Sequence, residues 1–359
     1  SETCHHLKDV ARDPSLWKQL TLSYERIKNK TEACRNHVSR CSSLREINIT
    51  GEEKSIRSDK IMTVVMKAKN TLTSIILSPS FAGLSKSSFE KIGEMTQLSH
   101  LAVGGGKLGP GGISALASLT ELKTLKIPDI ECGTFGAHSY DIPMAKLVDL
   151  FSKLKKLEQV EMVEMKFKID EIVESLVNNN PNLHHLDITL SDFDDSDIET
   201  ISSRSLILIA DKCPQLTYIG IGYHLSENLS ETSITKIVEN CPKLKHANFE
   251  MTEFSDTHLS MMSNNCPDLE YLNIVGCVDC YEEALERFAN PATAANLKLL
   301  CVSKYFFSPE VLDRINKNLP NVKIVTVEDE DSSDEDSNDS MYDSDENLHG
   351  DYSSDTGEG

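Results

Sequence analysis

Apolar residues recur along this chain in one pattern, L-x-x-L-x-L. It is cleanest in CPDLEYLNI, Cys266 to Ile274, where Leu269, Leu272 and Ile274 carry it. The first apolar position returns at Leu44, Leu72, Leu98, Leu122, Leu157, Leu183, Leu216, Leu244, Leu269, Leu297 and Val322, at intervals of 24 to 35 residues. Each copy continues as a short strand, from LREINI through LHHLDI and LTYIGI to VKIVTV. Before each strand stands a helical pattern, as in ILIADKCPQL (207–216) and ITKIVENCPKL (234–244), with apolar residues at i, i+3 and i+4. A strand–helix unit repeated eleven times predicts an α/β solenoid with a curved parallel sheet inside and helices outside.

The spacing places the repeat in the 20–29-residue leucine-rich class, with two longer members. The extra length falls in CGTFGAHSYDIP, Cys132 to Pro143, and in an acidic stretch from about Ser191 to Arg204. Inserted loops of a solenoid project from its rim, where they extend a binding face or are tolerated surface length. Cys-Pro pairs at 213, 241 and 266 sit where a helix must stop and turn into a strand, with Asn180-Pro181 and Leu319-Pro320 as variants.

Upstream of the array, Leu7, Val10 and Ala11 are spaced for one helical face, and Asp13-Pro14 ends that helix. Leu16-Trp17, Leu20 and Leu22 then lead into a first strand, and Trp17, the only tryptophan, is placed to seal the end of the solenoid. The run C-x-x-L-x-x-V-A-x-D-P-S-L-W-K-x-L-x-L, over about the first 22 residues, resembles the C-terminal end of an F-box. That module is the adaptor-binding part of cullin–RING ubiquitin ligase receptors, and its upstream helices, which carry most of the adaptor contact, are not in the match. The Cys-Pro repeats likewise resemble the cysteine-containing leucine-rich arrays of F-box receptors. The resemblance implies a non-catalytic substrate receptor, bound to adaptor and cullin through the F-box and to a target protein through the array. It gives Leu7, Val10, Pro14, Leu16 and Trp17 to the adaptor side and cap.

The division expected is therefore 1–22 as F-box remnant and cap, 23–327 as solenoid, and 328–359 as an acidic tail. Of the formal charge of −21, fourteen acids lie in Glu328–Gly359, which has no Lys or Arg, leaving −7 on the preceding residues. The tail has too few apolar groups to offset ordering entropy and reads as disordered. Ser332, Ser333 and Ser340 each have an acid three residues on, a pattern resembling acidophilic-kinase sites. Mass spectrometry of the protein from cells tests them, and an unmodified tail would count against that reading. A leucine-rich array with an acidic tail also resembles the acidic leucine-rich nuclear proteins, whose partners are histones and other basic proteins. That makes a scaffold outside ubiquitin ligases the second reading.

The acidic balance speaks against nucleic acid as partner. No apolar run approaches the ~20 residues needed to cross a bilayer, and SETCHHLKDV has no apolar signal-type core. Ten cysteines without a signal suit reduced thiols in the cytoplasm or nucleus. Cys277 and Cys280 form C-x-x-C without a second pair, and Cys277 takes the position after the strand that packs inside the turn. GGGKLGPGG, Gly104 to Gly112, lacks the spacing of a phosphate loop and reads as a strand-to-helix connection. His184 and His185 point to opposite sides of a strand, so they cannot share a metal. No catalytic set, cofactor motif or metal site stands out.

Function is therefore expected on the inner sheet. In each copy the two free positions around the second leucine face the concavity. They give Gln159/Glu161, His185/Asp187, Tyr218/Gly220, His246/Asn248 and Tyr271/Asn273, flanked by Leu299/Cys301 on one side and by Thr124/Lys126 and His100/Ala102 on the other. Aromatics ringed by polar groups are the anchors protein interfaces use. The target-binding candidates are Glu161, His185, Asp187, Tyr218, His246, Asn248, Glu250, Tyr271 and Asn273.

Overall fold

A computed structural model describes residues 13–51, 58–78, 84–104, 106–107, 109–127, 130–131, 144–163, 169–190, 201–223 and 230–327. Leu7 and Val10, the Cys132–Pro143 insertion, residues 191–200 of the acidic stretch, and the tail with Ser332, Ser333 and Ser340 lie outside them.

The eleven repeat strands and the strand before them form one parallel twelve-stranded sheet in sequence order. It is built from β1 (Gln19–Ser23), β2 (Glu46–Thr50), β3 (Ser74–Leu77), β4 (His100–Ala102), β6 (Thr124–Lys126), β8 (Gln159–Glu161), β9 (His185–Asp187), β10 (Tyr218–Gly220), β11 (His246–Asn248), β12 (Tyr271–Asn273), β13 (Leu299–Ser303) and β14 (Lys323–Val327). A second pair, β5 (Gly106–Lys107) and β7 (Ile130–Glu131), runs parallel beside it. This is a leucine-rich-repeat solenoid. Most strands are three residues long because each contributes only one rung before the chain leaves for its helix.

The register is the repeat register. Leu20, Ile47, Ile75, Leu101, Leu125, Val160, Leu186, Ile219, Ala247, Leu272, Leu300 and Ile324 follow one another across the sheet. From Ile47 to Leu300 this row is buried. Each helix covers it with its own apolar stripe, as Leu206 and Ile209 do from Ser203–Lys212, and Ile234, Ile237 and Val238 from Glu231–Asn240. The helix from Ser203 begins inside the stretch read as insertion. It is fixed there by Asp170, which accepts from Ser202 N at 2.9 Å and Ser202 Oγ at 2.8 Å.

The Cys-Pro turns do what their position requires. Cys213, Cys241 and Cys266 each close a helix, with N–H groups donating to Ile209, Ile237 and Met262 carbonyls at 2.9–3.0 Å. Their thiols are buried, and burial pushes each up to about 12, so they pack as apolar groups. Asn180 takes the same place in its repeat. Its amide donates to Leu176 O at 2.9 Å and its carbonyl accepts Leu157 N of the preceding repeat at 2.8 Å. Cys277 and Cys280 are also buried, their thiols donating to the carbonyls of Phe249 at 3.1 Å and Phe254 at 3.5 Å. In GGGKLGPGG the connection includes β5 and then a helix from Gly109, with Ile113 and Leu116 buried below it.

At the open end, Pro14–Leu16 forms a single helical turn before β1. Pro14 is buried, and Trp17 packs edge-on against His37 with ring centres 4.9 Å apart, closing the first repeat. Leu16 stays 57% exposed. Among the described residues, no helix is long and apolar enough to cross a membrane.

Candidate functional site

Parallel strands in strict register place equivalent side chains side by side, about 4.8 Å apart. The first inner row runs His100, Thr124, Gln159, His185, Tyr218, His246, Tyr271 and Leu299. Four of its five ring-bearing members, from His185 to Tyr271, form a continuous ladder. His185 stacks on Tyr218 with ring centres 4.0 Å apart, Tyr218 lies 5.9 Å from His246, and His246 lies 6.1 Å from Tyr271. The ladder is tight at β9–β10 and opens toward β12.

The second row, Lys126, Glu161, Asp187, Gly220, Asn248, Asn273 and Cys301, supplies the polar groups that hold it. Tyr218 donates its hydroxyl to Asp187 Oδ2 at 2.7 Å, tying the ring of β10 to the carboxylate of β9. Burial first, and then the Asp187 charge, push the Tyr218 phenol far above its ordinary value, so it stays a donor. Asp187 also accepts Thr189 N at 3.1 Å. Glu250, one step further along β11, accepts Asn273 Nδ2 at 2.9 Å and the Tyr223 hydroxyl at 3.1 Å. Asn248 and Asn273 accept the main-chain N–H groups of Glu250 and Val275, each at 3.1 Å, fixing the turns after their strands.

Glu161 sits between Lys126 and His185. Lys126 pairs with it from the neighbouring strand. His185 Nε2 lies 2.9 Å from its Oε1, but that nitrogen is buried without an aligned hydrogen bond, so the contact is one of proximity. Burial raises the Glu161 carboxyl, yet Lys126 and His185 outweigh it and hold it below the usual range. His246 is lowered, chiefly by burial, so it stands uncharged at neutral pH.

The nine target-side candidates thus form one surface spanning β8 to β12. Tyr218 and Tyr271 are half-buried, Asn273 is buried, and the others are partly exposed. The adaptor-side residues within the description divide differently. Pro14 and Trp17 face the solenoid, while Leu16 faces outward.

One arrangement was not legible in the sequence. Ser255 Oγ lies 3.1 Å from His258 Nδ1 and 3.3 Å from Glu231 Oε1, a serine, a histidine and an acid within reach of one another. It is a helix cap. His258 is buried, its Nδ1 accepts Ser255 N at 2.9 Å, and its Nε2 faces the Glu231 carbonyl at 3.1 Å. Both ring nitrogens are engaged by main chain, which leaves no base for the serine. S-x-x-H marks only the local half of it, and nothing in the sequence marks the contact with Glu231, 24 residues earlier. Among the described residues, no group of three or more His, Cys, Asp or Glu could hold a metal.

No protein-family model matches the chain, and no curated sequence is similar to it at a significant level. Solved structures are similar in shape. A chain of the yeast Rad7–Elc1 complex superposes with a TM-score of 0.54 at 13% identity, over 83% of this chain and 78% of that one. A protein from Bacteroides fragilis gives a TM-score of 0.39 at 15% identity, over 87% and 75%. At these identities the first likeness is one of fold, in keeping with the leucine-rich-repeat solenoid.

Proposed function

We propose that the protein is the substrate-recognition subunit of a cullin–RING ubiquitin ligase of the SCF type, acting in the cytoplasm or nucleus. It performs no chemistry of its own. Target protein lies on the concave face, and the segment ahead of β1 belongs to the module that holds the adaptor. Bringing a target beside a charged conjugating enzyme raises its effective concentration, which is all such a receptor needs to do.

The observation that carries the binding role is the inner face from β8 to β12. Four rings in one row and a second row of carboxylates and amides form a preordered, amphipathic surface of the kind protein interfaces are built on. The ligase role is supported by the F-box-like run ending in DPSLW, by the Cys-Pro turns, and by a fold likeness to a chain crystallised in the Rad7–Elc1 complex. Among the described residues of that run, Leu16 is an apolar side chain left exposed beside the buried Pro14 and the packed Trp17, where an adaptor could meet it. Affinity capture of the full-length protein from cells should recover a cullin and its adaptor. Repeated capture without either would end this reading.

A second reading is a scaffold for basic proteins outside any ligase, favoured by the fourteen acids of 328–359. Deleting that tail separates the two. Loss of histone binding with no ligase partner recovered supports the scaffold, and retained adaptor binding supports the receptor.

A further inference from the structure

The two ends of the sheet are finished differently. In the first strand, β1, Leu20 and Leu22 are buried, and Trp17 packs on His37 to close the repeat. In the last strand, β14, none of the five residues is buried. Ile324 continues the rung row that is buried from Ile47 to Leu300, yet it is only half-buried. Val327 is 38% exposed, and Tyr305 and Phe306 are exposed in the turn whose Lys304 N–H donates to Val327 O. Each rung of a solenoid is covered by its neighbours. Among the described residues, no strand covers this one.

The free edge of β14 offers a defined set of main-chain groups. Lys323 N donates to Lys298 O and Val327 O accepts Lys304 N, both at 2.8 Å. Lys323, Val325 and Val327 therefore bond toward β13, and the alternate residues, Ile324 and Thr326, turn their N–H and C=O outward. A row of this kind accepts another strand. The spacing is also self-complementary. About a two-fold axis at Val325, Ile324 of one copy faces Thr326 of the other, twice over. Each such pair exchanges both of its main-chain hydrogen bonds, as antiparallel strands do.

We infer that two copies of this chain join along β14, antiparallel about a two-fold axis at Val325, into one continuous sheet. That register sets Lys323 against Val327 of the other copy, next in sequence to Glu328, where the acidic run begins. A cation at one end of the strand and acids after the other are complementary only when the strands run opposite ways. Antiparallel pairing also sends the two sets of fourteen acids away from each other. The chain's own residues 328–359 make a poorer occupant. They contain no Val, Ile, Phe or Trp, and their fourteen like charges disfavour a strand. Such a dimer stands whatever the concave face binds, and it would present two of those faces to a bivalent partner.

Sedimentation velocity of the full chain over roughly 1–100 µM tests the pairing. The expected result is a shift from one chain to two with concentration, with amide exchange over 323–327 slowing in step. Val325→Lys and Val325→Glu each put like charges face to face at the axis, and each should weaken association about tenfold or more. Mixing the two variants should restore it, because the axis then holds opposite charges. Misfolded variants would not recover on mixing, so this arm also controls for folding. Thr326→Pro removes an outward N–H from each copy, leaves the bonds to β13 in place, and should weaken association in the same direction. A monomer at every concentration overturns the inference, whether 323–327 exchanges freely or is protected throughout by another part of the same chain. A dimer that survives both single charge variants, or whose variants gain nothing on mixing, forms elsewhere and overturns it as well.

Discussion

The two halves of the sheet share a core and differ in face. From β2 to β6 the inward positions are Glu46/Asn48, Ser74/Ile76, His100/Ala102 and Thr124/Lys126, without a run of rings. From β9 to β12 the same positions carry the His–Tyr ladder and its carboxylates. The residues between them, Ile75, Leu101 and Leu125 in one half and Leu186, Ile219 and Leu272 in the other, are equally buried. In a solenoid each repeat needs only its apolar rung to stack on its neighbours. The inner face is released from folding and can differ from repeat to repeat.

Core substitutions should treat the halves alike. Leu272→Ala and Leu125→Ala should each cost about 3 kcal/mol in denaturant unfolding. A cost confined to one half would show that the halves do not share one core. Face substitutions should separate them. Tyr218→Ala should lower affinity for a target protein captured on this face by about 2 kcal/mol, while Thr124→Ala should leave it unchanged, and equal losses would erase the distinction. The thiols come next. Cys213, Cys241 and Cys266 should resist a thiol reagent at pH 8 in the native protein and react on unfolding, and Cys213→Ser should cost about 1–2 kcal/mol through an ill-matched buried hydroxyl. Fast native labelling would contradict their burial.

The smallest effects are in pH. Burial lowers His258 despite its bond to the Glu231 carbonyl, so the unfolded chain binds that proton first. Its contribution is present above the unfolded value, ~6.5, and is lost as pH falls through the window below it. Glu161, also lowered when folded, contributes above the unfolded carboxylate value, ~4.3, and its contribution is lost further into acid. Thermal melts should therefore show two acid-side losses, with Glu161→Gln flattening only the lower one. A curve unchanged by Glu161→Gln would mean that Lys126 and His185 do not stabilise its charge.

Much of this could be read beforehand, and the reason is the repeat. Leu269, Leu272 and Ile274 declare a rung, Cys266-Pro267 a turn, and alternation along the strand sends Tyr271 and Asn273 inward. What escaped reading depends on distances between repeats. Nothing near Gly220 in sequence announces that it makes room for Asp187, 33 residues earlier. The pairing of β5 with β7 and the Ser255–His258 cap resting on Glu231 likewise join segments that are far apart along the chain.

Period, rung and inward direction follow from local rules, apolar spacing and strand alternation, and the amino-acid sequence determined them by itself. The spacing of the rings, the lean of Asp187 over Gly220, and the holding of Glu161 by Lys126 and His185 were decided only by tertiary structure. The register between repeats sets those distances, and hydrogen bonds and charge act over a few ångströms that no linear pattern records.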